Sequence, residues 1–151
     1  MRASGRAMSV DRLKPSRPHV GVGAVIWKDN EVLLIQRGKD PGKGKWSLPG
    51  GGQELGETAK EAIIREILEE THLTVHLGRI IDVVDAIDKS ADGEILYHYT
   101  LIDYAARYAS GTAKADSDVD AVRWVHPTDL STYELMDRTI EIIEKSKGYL
   151  S

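Results

Sequence analysis

The chain has 151 residues, enough for one domain with a sizeable core, and its 41% apolar and 29% charged content is ordinary for a globular protein. A formal net charge of −4 argues against broad nucleic-acid or anionic-membrane binding, which calls for a basic surface, but leaves room for a small phosphorylated ligand held by a few local cations. With no cysteine there are no disulfides, thiolate nucleophiles or zinc–sulfur sites, which suits a reducing cytoplasm, and no apolar run approaches the ~20 residues of a membrane span.

Residues 1–18 mix Arg, Ser, Lys and Pro without periodicity and predict a flexible N-terminal tail, with a single domain over 19–148. Val20–Trp27 predicts a strand, Asp29 and Asn30 a turn, and Val32–Arg37 a second strand. Gly38–Lys45 is a loop with three lysines; Trp46–Leu48 is a short strand leading into a glycine turn. Thr58 with Glu61 forms a capping-box pattern, so a helix is expected over Ala59–Thr71. Thr74–Ile87 and Glu94–Ala105 predict two long strands, Arg107–Asp118 a loop, and Val119–Val125 a further strand. Tyr133–Lys147 predicts a closing amphipathic helix with Leu135, Ile140 and Ile143 on its core face. Helices interleaved with a mixed sheet place the chain in the α/β or α+β class.

The helix over Ala59–Thr71 carries Glu66, Glu69 and Glu70 at i, i+3 and i+4, on one face. Three carboxylates so placed repel one another, and the spacing alone fits either a solvated acidic face or a bound hard cation, whose preference for oxygen ligands relieves that repulsion. At ~100° per residue, Ala59 and Ala62 fall beside the glutamates and leave clearance for an approaching group. Ile63, Ile64, Ile67 and Leu68 occupy the flank and the opposite side, where burial is expected. The helix N-terminus faces the glycine turn, where free N–H groups and the helix dipole favour anions such as phosphate.

Gly51, Glu57 and the run Arg65–Leu73 (REILEETHL) are similar to the Nudix box, GX5EX7REUXEEXGU with U a bulky aliphatic residue. Every defined position matches in type and spacing except one, because His72 stands where the family usually has glycine. Trp46–Gly51, Val32–Arg37, Val122–Val125 and Pro127–Leu130 resemble the segments that flank the box. The resemblance implies a Nudix-type α/β/α sandwich with a mixed central sheet. It further implies metal-dependent hydrolysis of a diphosphate linkage in a nucleoside diphosphate derivative, with ADP-ribose or a nucleotide sugar as the leading expectation. Pyrophosphohydrolysis of oxidised nucleoside triphosphates is the runner-up, and a non-catalytic nucleotide-sensing module is the alternative from another class. The partner is a small nucleotide in each case, with neither nucleic acid nor membrane expected; family members often form homodimers, and a cytoplasmic setting is expected.

By the same resemblance, Glu66, Glu69 and Glu70 are the metal ligands, with Mg²⁺ the first expectation and Mn²⁺ able to substitute. Glu69 and Glu70 stand in the catalytic set with Arg65 and Glu57, which organise the site: Arg65 can hold a carboxylate in a bidentate pair. Gly50 and Gly51 are expected to adopt backbone angles open only to glycine and to bring N–H groups to the ligands. Arg37 and Lys45 are candidate phosphate contacts. His72 is expected in the left-handed conformation that ends the helix, at a cost of about 1 kcal/mol. Its i, i+3 relation to Glu69 makes it a secondary ligand candidate, as Asp118 is for an extra acidic role. Tyr97 and Tyr99 share one strand face, where core packing is favoured over base stacking.

Overall fold

A strand can be buried on both faces only if nearly every residue is apolar or small, and His19–Lys28 (HVGVGAVIWK, β1) meets that condition. The computed structural model describes residues 13–40 and 42–149. Around β1 it places β2 (Glu31–Arg37), β3 (Trp46–Ser47) and β4 (Gly50–Gly52). The helix α1 (Ala59–Thr71) follows, then β5 (Thr74–Lys89), β6 (Ile95–Ser110) and β7 (Val119–Val125). The 3₁₀ segment Pro127–Tyr133 leads to α2 (Asp137–Ser146) and a final turn, Lys147–Tyr149. The strands form one mixed sheet in the order β3-β2-β1-β6-β5, with β4 added to β1 and β7 to β2. Only β1 and β6 run parallel among these pairs; the rest are antiparallel.

The period-two alternation of the strands sorts the core into two layers. Val22, Ala24 and Ile26 of β1, Leu33 of β2, and Tyr104 and Ala106 of β6 face α1 and pack on Ala62, Ile63 and Ile67. Val25, Trp27, Val32, Leu34 and Ala105 face the other way, onto Leu130, Leu135, Ile142 and Ile143. The Trp27 indole N–H donates to Ser146 Oγ at 2.9 Å and ties α2 to the centre of the sheet. The architecture is the α/β sandwich with a mixed sheet that the family resemblance implied.

Several expectations need correction. Gly50–Gly52 is not a free turn but a strand, because its backbone completes the ladder on β1 through Gly21, Val22 and Gly23. β5 and β6 extend to Lys89 and Ser110, since cross-strand pairing from Thr74↔Ser110 onward carries β6 into the region expected to be loop. The closing helix begins at Asp137 rather than Tyr133, because Pro127–Tyr133 winds as 3₁₀ and Glu134 takes a left-handed φ of 53°. Ile140 is 37% exposed and Ile142 fills the core place expected for it. Ile64 and Leu68, expected to be buried, stand about half exposed at 49% and 51%. Ala62 is wholly buried against the sheet, so its small size lets helix and sheet approach closely instead of clearing space for a ligand. Tyr97 and Tyr99 pack with Ala86 in a small core at the far end of the β5–β6 ribbon.

Of the expected tail 1–18, residues 1–12 lie outside the described residues. Lys14 donates its backbone N–H to Leu96 O at 2.8 Å, and its ammonium stands 3.5 Å from Glu94.

Candidate active site

α1 starts where the sequence places it, for a local reason. Thr58 Oγ1 accepts the Glu61 N–H at 3.1 Å while Glu61 Oε1 accepts the Thr58 N–H at 2.8 Å, which satisfies two orphan donors of the first turn. The helix ends at His72, whose φ of 64° and ψ of 17° are left-handed and whose N–H donates to Leu68 O at 3.0 Å. The loop after β6 closes this end: the N–H groups of Lys114 and Asp116 donate to Thr71 O and Glu70 O at 3.0 and 3.2 Å. His72 Nε2 lies 2.7 Å from Asp116 Oδ2, so its imidazole is paired on the loop side. That pair holds the Asp116 carboxyl below its usual range.

The buried stripe of α1 is Ala62, Ile63, Glu66, Ile67, Glu70 and Thr71, so two of the three box glutamates lie on the face turned inward. Glu66 is 2% exposed and Glu70 1%, whereas the Glu69 side chain is 30% exposed. Arg65 sits among them. Its Nε and Nη2 meet Glu57 Oε2 and Oε1 at 2.6 and 2.9 Å in a bidentate fork. Its Nη1 donates to Glu66 Oε2 at 3.0 Å and to Glu69 Oε1 at 3.2 Å, and Nη2 also reaches Gly52 O at 3.1 Å. Glu54 Oε1 lies 3.8 Å from Nε. The Glu57 hydrogen bond, followed by the nearby charges of Glu66 and Glu57, raises the Arg65 pKa further above its already high value against the cost of burial.

One guanidinium thus faces four carboxylates, with Glu70 as a fifth beside Glu66. The result is visible in Glu66: burial first, then the charge of Glu70, pushes its carboxyl up to about 8, against the opposing pull of Arg65. The cluster carries more negative charge than Arg65 can balance. Among the described residues no three such groups are gathered as a ready-made metal cage, and Arg65 holds one oxygen each of Glu66 and Glu69. In donor chemistry the cluster suits a hard divalent cation: it offers carboxylate oxygens, excess negative charge and partial burial.

Gly50 links this cluster to the opposite face of the sheet. Its N–H donates to Glu70 Oε1 at 3.0 Å, and it lines a cleft of about 940 Å³ with Gly51, Arg37, Lys45, Trp46 and Tyr133. Gly50 and Gly51 are absent from the left-handed residues, so special backbone angles are not why glycine stands there. The requirement is steric: a Cβ on Gly50 would lie 2.1 Å from Val22 O across the β4–β1 ladder. Arg37 and Lys45 are therefore brought together with the two glycines. Glu57, Arg65, Glu66, Glu69 and Glu70 form the neighbouring cluster behind them. Asp118 pairs with Lys39 at 2.8 Å and receives the Gly38 N–H on its carbonyl.

Two features went unread in the sequence. Trp46 and Tyr133 meet edge to face with centroids 5.0 Å apart in the cleft wall. Asp103, 8% exposed, also lines the cleft, as does Arg138. A strand-interior aspartate flanked by apolar residues, as in Leu101–Ala106 (LIDYAA), was the available signal for the second.

The fold and this site define a protein of the Nudix family. A family model described as the NUDIX domain matches residues 17–145, and the chain belongs to that family. It is 39% identical over 101 residues to an ADP-ribose pyrophosphatase of Methanocaldococcus jannaschii, covering 67% of this chain and 57% of that protein. It is 31% identical over 125 residues to a putative 8-oxo-dGTP diphosphatase of Bacillus subtilis, covering 82% of this chain and 76% of the relative. The crystal structure of a MutT NUDIX hydrolase from Burkholderia pseudomallei superposes with a TM-score of 0.75 at 33% identity, over 86% of this chain and 98% of that one. The chain spans little more than half the length of the archaeal relative. No helix among the described residues is long and apolar enough to cross a membrane.

Proposed function

We propose that this chain, as a single domain over residues 19–148, is a pyrophosphohydrolase that cleaves the diphosphate linkage of a nucleoside diphosphate derivative. The observation that carries the reading is the carboxylate cluster around Arg65 standing directly behind Gly50, with Arg37 and Lys45 on the cleft side. A diphosphate resists water because its anionic oxygens repel a nucleophile. Divalent ions, Mg²⁺ first and Mn²⁺ as substitute, would supply charge neutralisation and water activation there when bound. Glu66, Glu69 and Glu70 would hold them.

The chain's own residues do the rest. Glu57 fixes the Arg65 fork, and Arg65 in turn sets the orientation of Glu66 and Glu69. Gly50 orients Glu70 through its N–H. A carboxylate of this cluster accepts the proton of the attacking water, and Arg37 and Lys45 hold the substrate phosphates. The Trp46–Tyr133 wall offers a face on which a base can stack.

ADP-ribose or a nucleotide sugar is the preferred substrate class, supported by the archaeal relative's name; the Bacillus relative's name supports oxidised nucleoside triphosphates as second. A cysteine-free chain suits the cytoplasm, and exposed Ile80, Val83 and Ile87 on edge strand β5 suit a homodimer. The test is product formation with Mg²⁺ from a panel of diphosphate derivatives and triphosphates, for the native chain and Glu70→Gln. One class should turn over, and Glu70→Gln should lose about 100-fold or more. Nucleotide binding without turnover by the native chain would instead favour a sensing module.

A further inference from the structure

Asp103 stands apart from the carboxylate cluster. It lies on β6, where the parallel pairing sets it opposite Gly23, and Gly23 in turn pairs with Gly50 of β4. Asp103 and Gly50 are therefore two strand spacings apart, roughly 10 Å across the sheet. Leu101, Asp103 and Ala105 share the strand face turned toward α2, and Leu101 and Asp103 open into the cleft.

The protein makes room for this carboxylate but gives it no donor. A Cβ on Gly23 would come within 2.6 Å of Asp103 Oδ1, so the glycine clears the floor beneath it. Among the described residues no side-chain or backbone donor makes a hydrogen bond to the Asp103 carboxylate, although the residue is only 8% exposed. Burial, opposed by the charge of Arg138 and reinforced by that of Asp82, raises its carboxyl to about 6. A mostly buried carboxylate with no protein donor is costly, and its oxygens, which are not sealed from the cleft, must take their donors from there. A group that arrives from the cleft accounts for it.

We propose that Asp103 is the residue by which the cleft selects its substrate, accepting hydrogen bonds from a vicinal pair of ribose-type hydroxyls. The inference rests on the nucleotide-hydrolase reading and adds to it the part of the substrate recognised. Arg138 lines the same cleft and is close enough for its charge to act on Asp103. An acceptor beside a donor suits hydroxyls, which both give and receive, better than an ammonium group, which only gives. Roughly 10 Å is about two sugar-ring widths, enough for a ribose at Asp103 and the first phosphate it carries to reach Gly50 and Gly51. Asp103 is a positioning residue, remote from the bond that breaks.

The test is calorimetric binding without divalent ions, using ADP-ribose and two analogues, one lacking the adenosine-ring hydroxyls and one lacking those of the terminal ribose. The native chain should bind ADP-ribose about tenfold more tightly than one of the two analogues, and Asp103→Asn should reduce that preference to under twofold. Asp103→Asn keeps the shape of the side chain, and Asp103→Leu provides a second variant should the amide find a new partner. Turnover is measured in parallel: KM should rise about tenfold in Asp103→Asn, with kcat within threefold. A native chain that hydrolyses diphosphates but binds both analogues as tightly as ADP-ribose overturns this inference alone. So does a preference that both variants retain. A native chain that shows the hydroxyl preference yet hydrolyses nothing overturns the hydrolase reading alone, and absence of both overturns both.

Discussion

Replacing Asp103 by asparagine should stabilise the free protein, and the gain should depend on pH. The native carboxyl is raised from 3.8 to about 6 in the folded chain, by burial above all. Between those values the folded state binds a proton that the unfolded state has released, so native stability falls as pH rises from about 4 through about 6, then levels off. A rise of that size corresponds to a loss of ~3 kcal/mol once the group is ionised in both states. Asparagine has the same shape, carries no charge and breaks no hydrogen bond of Asp103. Asp103→Asn should therefore be more stable by up to ~3 kcal/mol at pH 7.5, or roughly 6–12 °C in Tm for a chain of this size, and equal to the native chain below about pH 4. Urea denaturation of both proteins from pH 4 to pH 8, read by circular dichroism, measures the difference directly. Other carboxylates titrate in both chains and cancel. A stability difference independent of pH, or a variant less stable at pH 7.5, would refute the argument that Asp103 is a buried, donor-poor carboxylate.

Arg65→Lys keeps the charge but not the fork on Glu57 or the reach to Glu66 and Glu69, so turnover should drop about 10–100-fold and stability by ~2 kcal/mol; native-like kinetics would show that Arg65 does not set the carboxylates. Gly50→Ala places a Cβ 2.1 Å from a backbone oxygen and should cost ~3 kcal/mol or more, seen as a lower urea midpoint. Mg²⁺ at about 100 times its Kd should raise native stability by ~2.7 kcal/mol, and Glu66→Gln should remove most of that rise. A metal response that is the same in Glu66→Gln would take Glu66 out of the ligand set.

Much of the site was readable because its signals are local. The capping box at Thr58 and Glu61 needs only four consecutive residues, and it set the start of α1 correctly. The spacing of Glu57, Arg65, Glu66 and Glu69 reflects one helix and the turn before it, so their convergence follows from chain geometry over a short span. Elements that depend on distant partners were misread. Gly50–Gly52 has no strand propensity of its own and becomes β4 because β1 presents an open ladder there. The first turn expected of α2 yields to a 3₁₀ winding that begins at Pro127 and buries Leu130. Helical spacing also could not tell that the sheet covers the Glu66–Glu70 side of α1 while Ile64 and Leu68 remain half exposed.

By itself, then, the sequence determined the helix that bears the glutamates and the set of side chains that cluster on it, since both depend on contacts within about twenty residues of chain, while the residue pattern left the class open between α/β and α+β and the family resemblance implied the sandwich. Only the tertiary structure decided what those groups face. Parallel pairing of β1 with β6 brings Asp103, eighty residues beyond Gly23 in the chain, alongside it. Gly23, Asp103 and Ile142 wall the cleft on the α2 side of the sheet, and Gly50 joins it to Glu70 of α1. Burial and charge environment are properties of assembled neighbours, so the raised carboxyls of Glu66 and Asp103 have no counterpart in residue spacing.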